Sequence, residues 1–144
     1  MARSMCVRFT GGPALPTVAG EMPSPGEPIV THLMSVLPRL GVAVLKHEDI
    51  QYAHELECQV GSRVYKVCVA YDWVQGGWWE VFWAPTLGFL GKLRGQSEDD
   101  ELARLASALS SALDSLPGVQ ERRWYPTYSA GTKAGALFST GPAL

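Results

Sequence analysis

The chain predicts an α+β domain: an antiparallel meander sheet of three to five strands packed by an N-terminal and a C-terminal helix. Three observations carry this expectation. Residues 50 to 84 alternate apolar and polar at strand period around two glycine turns. Helical apolar spacing precedes that stretch at Ile29, Leu33, Leu37 and Leu40. A second and clearer helical stripe follows it between Leu102 and Leu116.

At 144 residues the length suits one domain. Met5 to Phe9 reads as a short strand. Thr10 to Pro28 then holds five prolines and four glycines, so it sustains neither helix nor ladder. Residues 1–28 are therefore expected as a Pro/Gly-rich N-terminal arm, 29–128 as the folded domain and 129–144 as a flexible tail. Pro28 opens the first helix, because a residue in the first turn has no helical partner for its N–H. Pro38 should stop regular helix near Leu37, and Gly41 suits the residue after the end.

Val42 to Leu45 is apolar but too short to classify, and Lys46-His47-Glu48-Asp49 reads as a turn. Tyr52, His54, Leu56, Cys58 and Val60 share one face of a strand, and Ala53, Glu55, Glu57 and Gln59 share the other. A two-residue loop at Gly61-Ser62 pairs Val60 with Arg63, Cys58 with Tyr65, Leu56 with Val67, His54 with Val69 and Tyr52 with Tyr71. A three-residue loop at Gln75-Gly76-Gly77 sets Trp73 beside Trp79 and Tyr71 beside Val81. Trp73, Trp79 and Trp83 are then expected in the core. Lys66, Cys68, Asp72, Trp78, Glu80 and Phe82 fall on the wetter face.

Pro85 ends the third strand, and Thr86 to Gly95 is expected as a loop with a short helical turn. Ser97 is a good N-cap, with Glu98, Asp99, Asp100 and Glu101 where the helix dipole favours anions. Leu102, Leu105, Ala106, Leu109, Ala112, Leu113 and Leu116 should lie on the sheet, at about 2 kcal/mol for each buried leucine before entropy. Pro117-Gly118 ends the helix, and Val119 to Tyr125 adds an edge strand.

Composition narrows the function. Hydrophobic residues make up 47% and charged residues 18%, with a net charge of −2, so the basic stripe of a nucleic-acid binder is missing. No apolar run reaches the roughly 18 residues of a membrane span, and Met1 to Phe9 lacks the apolar core of a signal peptide. The three cysteines, Cys6, Cys58 and Cys68, match neither a disulfide framework nor a zinc spacing. The expected compartment is the reducing cytoplasm.

No catalytic, metal or cofactor motif is present. The three histidines, His32, His47 and His54, lack the His-Glu-x-x-His spacing, and His54 reads as a core histidine. There is no Gly-x-Ser-x-Gly elbow, and the glycines of residues 88–95 form neither phosphate-binding pattern. The acids of residues 98–101 are explained by helix capping. Aromatic and acidic residues on the wetter surface make a contact face instead: Glu55, Glu57, Asp72, Trp78, Glu80, Phe82 and Trp124 are the candidate binding residues.

In size, acidity and helix–meander–helix order, the chain resembles small bacterial immunity proteins, which neutralise a co-encoded toxin by covering its active site. That resemblance implies a non-catalytic protein binder. Two alternatives stand beside it. One is a dimer like the acidic chaperones of specialised secretion, holding a segment of a secreted effector. The other is an enzyme or small-molecule binder with a pocket lined by His54, Tyr52, Tyr71 and Glu80. The expected partner is another protein, and the state is monomer or homodimer.

Overall fold

A computed structural model describes residues 3–13, 25–86, 99–131 and 135–144. The fold is α+β, as the periodicity predicts, but the sheet has six strands. They are β1 (Cys6–Gly11), β2 (Ala43–Asp49), β3 (Ala53–Val60), β4 (Arg63–Tyr71), β5 (Trp79–Pro85) and β6 (Val119–Tyr125). All neighbouring pairs are antiparallel, in the order β2-β3-β4-β5-β1-β6. The meander therefore covers only four strands. The segment expected as a short strand within an N-terminal arm lies inside the sheet, between β5 and β6. Its Val7 and Phe9 are fully buried opposite Val81 and Trp79.

Helix α1 (Glu27–Val36) carries Pro28 in its first turn and ends in a 3-10 turn, Leu37–Leu40, around Pro38. Gly41 follows at φ 84°, a left-handed geometry that closes a helix at little steric cost to glycine. The expectations for Pro28, Pro38 and Gly41 all hold. Helix α2 spans Asp99–Asp114, and a short helical turn, α3, spans Tyr128–Gly131. The proposed cap at Ser97 and the loop after Thr86 lie outside the described residues.

The first hairpin has the expected register from Val60↔Arg63 to His54↔Val69. Tyr52 falls just beyond the ladder and is 71% exposed. Lys46 to Asp49, read as a turn, belongs to β2. The actual turn is Gln51-Tyr52, with Gln51 at φ 78° and Ile50 N–H donating to the Ala53 carbonyl at 3.0 Å. A bulge at Leu45 breaks the apolar alternation of β2, which is why the pattern failed to announce a strand.

The second hairpin differs by two residues. Tyr71 faces Trp79, Val69 faces Val81 and Val67 faces Trp83, and the loop runs from Asp72 to Trp78. A shift of two keeps every side chain on its predicted face, since strand period is two. Only Trp73 is displaced: it leaves the sheet and is 53% exposed, not part of the core.

One face of the sheet carries the core. Leu56, Cys58, Val60, Tyr65, Val67, Val69, Val81, Trp83 and Trp124 pack with Ile29, Val30, Leu33 and Leu37 and with Leu105, Leu109 and Leu113. The stripe of α2 is buried as predicted. Its packing differs from the expectation of a helix on the sheet alone, because α2 meets the sheet at β3 and rests as well on α1 and the 3-10 turn. At the other margin, β1 and β6 approach so closely at Gly11 that a Cβ there would sit 2.0 Å from the Gly118 carbonyl oxygen. Residues 135–144, expected as a tail, return to the sheet: Ser139 exchanges two backbone hydrogen bonds with Trp124, at 2.8 and 3.1 Å. No helix among the described residues is long and apolar enough to cross a membrane.

Truncating the fully enclosed Leu109 tests this layering. Leu109→Ala should cost about 3 kcal/mol in urea unfolding, the usual loss of transfer energy plus a cavity.

Candidate functional site

The far side of the sheet is organised by a residue that hydropathy reading passes over. Arg8 sits on interior strand β1, between apolar neighbours, with its side chain turned away from the helices. It is 5% exposed. A buried guanidinium needs carboxylates and carbonyls to replace its water. Arg8 finds them: one terminal nitrogen forms a salt bridge with Asp72, the other donates to the Gly131 carbonyl at 2.8 Å, and Nε lies 3.4 Å from Glu80 Oε1. Register brings Glu80 there, since Arg8 pairs with Glu80 across β1 and β5.

Asp72 divides its two oxygens between two tasks. Oδ2 holds Arg8. Oδ1 accepts from the Val74 N–H at 2.9 Å and the Gln75 N–H at 3.0 Å, an Asx-type turn. The Asp72 carbonyl accepts from the Gly76 N–H at 2.9 Å, and the Tyr71 hydroxyl accepts from the Gly77 N–H. Gly76 and Gly77 both have positive φ, 72° and 80°. The loop is thus fixed at its root by a buried ion pair and along its length by side-chain caps. Its outer residues are Trp73 and Val74, the latter 96% exposed. The Trp73 ring meets Tyr71 edge-on at 5.0 Å between centroids, and Tyr71 meets Trp79 in the same way.

On the other side of Arg8 runs an alternation of cations and rings. Trp78 lies between Arg8, at 5.3 Å, and Arg123, at 4.8 Å, and Arg123 also lies 4.5 Å from the Phe138 ring. Glu121 holds Arg123 at 2.9 Å. Arg8, Arg123 and Phe138, with Gln75, Tyr125 and Gly131, line a cavity of about 370 Å³. Below it Phe82 stacks against Tyr128 at 4.4 Å, beside a second cavity of about 260 Å³ lined by Met5, Cys68, Ala84 and Thr127. The Tyr128 hydroxyl bonds Glu80.

Titration follows burial. Desolvation raises the Glu80 pKa above its ordinary 4.5, and Asp72 adds to the rise; Arg8 and the Tyr128 hydrogen bond oppose it. Burial, and then the Glu80 charge, raises Tyr128. Cys6 and Cys58 are pushed up to about 12 by burial, and Cys68 to about 11, so all three stay thiols at neutral pH.

Of the seven candidate binding residues, the structure gathers three around Arg8 (Asp72, Trp78 and Glu80), while Phe82 lies against Tyr128. Glu80 is buried and Phe82 half-buried, so these two do not form an open patch. Glu55 and Glu57 share this side of the sheet but stand apart on β3, where Lys66 binds Glu55 at 2.9 Å. Trp124 does not belong to the contact surface. It is 1% exposed on the helix-covered side, against Trp83, because its strand pairs it with the core residue Val7. The pocket of His54, Tyr52, Tyr71 and Glu80 is not assembled either. His54 faces the helix layer, where Nδ1 meets His47 Nε2 at 2.8 Å, and Glu80 is on the opposite side. No cluster of three metal-ligating side chains occurs among the described residues.

No protein-family model matches the chain, and no curated protein or solved structure does.

The residues that sequence reading missed are Arg8, Gln75, Arg123, Tyr128 and Phe138. One signal was available: Arg8 interrupts Cys6-Val7-Arg8-Phe9, and a lone arginine in an apolar strand calls for a buried acid.

Two outcomes are expected. Arg8→Ala leaves Asp72 and Glu80 facing each other without a cation, and should cost about 3–5 kcal/mol, the usual penalty for breaking a buried pair, in urea unfolding at neutral pH. Glu80→Gln should change the pH profile. A carboxyl with a raised folded pKa binds more protons in the folded state, so it removes stability as pH rises from 4.5 through the raised value. The stability of Glu80→Gln minus that of the wild type should therefore increase with pH across that window and level off above it.

Proposed function

We propose that this chain is a non-catalytic protein-binding protein, and that the Asp72–Trp78 loop is its contact element. One observation carries the reading: a loop braced by a buried ion pair holds Trp73 and Val74 out in solvent. A fold with room for three other tryptophans in its described core does not leave this one out for want of space. Tryptophan is the residue most enriched at binding hot spots, and a prefixed loop loses little entropy on docking. Exposed Tyr52, in the turn next to the same end of β4, widens the apolar tip. The partner therefore offers a hydrophobic pocket or groove that takes an indole.

The titratable groups fit this reading better than catalysis. Glu80 and Asp72 are held by Arg8, the thiols are protonated, and His54 and Glu80 lie on opposite sides of the sheet. Neutralisation of a toxin by occlusion is the form of protein binding that the small acidic build suits. In that form the loop covers a functional cleft of the partner.

Trp73→Ala should leave the urea midpoint within about 0.5 kcal/mol of wild type, as for an exposed side chain, yet weaken partner binding at least tenfold, as for a hot spot of about 1.4 kcal/mol or more. The assay is co-expression with the product of the neighbouring reading frame, scored by growth rescue and by calorimetry of the purified pair. Rescue and affinity unchanged in Trp73→Ala would overturn the assignment of the loop.

A further inference from the structure

The two margins of the sheet are finished differently. The β6 margin is capped by the Ser139–Trp124 bridge. Among the described residues no strand pairs with the outer side of β2, and every residue of β2 except half-buried Val44 is exposed. Unpaired strand edges are templates for another strand.

We propose that β2 is a self-association edge, on which a second copy of this chain docks antiparallel about a two-fold axis through His47. Three features of β2 select this occupant and register. The first is backbone direction. Ile50 N–H bonds Ala53, so in an antiparallel ladder Ile50, Glu48 and Lys46 address β3, while His47 turns its N–H and C=O groups outward. A two-fold axis through His47 lets the two copies of that residue exchange both backbone hydrogen bonds.

The second is charge. Lys46 and Glu48 flank His47 on the same face and bond each other at 2.8 Å. Antiparallel self-pairing about His47 sets Lys46 of each copy opposite Glu48 of the other, giving two opposite-charge pairs. Centring the axis on Glu48 would stack two carboxylates, and centring it on Lys46 two ammonium groups. Charges on an edge strand usually repel a neighbour; here their alternation in sign repels other registers and accepts one.

The third is the surrounding surface. Leu45, on the bulge, is an exposed hydrophobic on this edge. The His47 side chain is turned back onto His54, leaving its backbone clear at the axis. Pairing creates one continuous twelve-stranded sheet, while the Asp72–Trp78 loop stays free in both copies. Self-association is thus independent of the partner-binding assignment, and the test uses the isolated protein.

Sedimentation velocity and light scattering over a broad concentration series should give a mass twice 15.6 kDa at the upper end. Lys46→Glu should weaken the dimer about tenfold, because it replaces two attractive pairs by two repulsive ones. Lys46→Glu with Glu48→Lys should restore it. Hydrogen exchange of wild type provides a readout that needs no variant: the His47 amide should be protected in concentrated solution and fast when dilute. A monomer at every concentration, a dimer indifferent to Lys46→Glu, or a His47 amide that exchanges fast at all concentrations would overturn the proposal.

Discussion

The salt bridge between Arg8 and Asp72 is the contact on which the Asp72–Trp78 loop depends. It joins a strand inside the sheet to a loop whose outer residues stand in solvent. Arg8 is fixed by the ladders of β1 with β5 and β6, so its guanidinium has little freedom. Asp72 inherits that rigidity and passes it to Val74 and Gln75 through its second oxygen. Without the arginine, the same carboxylate would have only water and turn amides to bind. A surface ion pair would not achieve this, because exposed pairs contribute little and hold little.

The two faces of the sheet solve different problems. Beneath α1 and α2 the packing is apolar and enclosed, and its strength comes from area removed from water. The opposite face is a polar lattice in which Asp72, Glu80 and Tyr128 surround Arg8, whose Nε has the Glu80 charge at 3.4 Å but no hydrogen bond, with Trp78 and Phe82 as walls. Removing a partner from such a lattice costs the desolvation of the group left bare. The lattice therefore specifies geometry more sharply than the apolar side does.

Much of the fold could be read from the residues. Pro28 and Gly41 bracketed α1, Gly61-Ser62 set the first hairpin, and the leucine stripe of α2 was buried as its spacing demanded. These are local signals, determined by steric freedom at single residues or by periodicity over one element. β2 was missed because a bulge and four consecutive polar residues hide its period. β1 read as a marginal strand because its role rests on pairing with residues seventy or more and more than a hundred positions away. Trp73 and Trp124 exchanged their expected places for related reasons. An Asx turn at Asp72 lengthened the loop, and an alternation shared with Val7 turned Trp124 inward.

The sequence by itself determined the fold class, the period and face of most strands, the ends of α1 and the absence of a recognisable catalytic motif. Those properties follow from nearest-neighbour sterics and amphipathic spacing, which a chain carries before it folds. Only the tertiary structure decided that Arg8, Asp72 and Glu80 would meet, that Trp73 would stand in solvent, and that one margin of the sheet would be closed and the other open. Each of these depends on which distant strands become neighbours. Long-range pairing is a cooperative outcome of the whole core, and no local pattern encodes it.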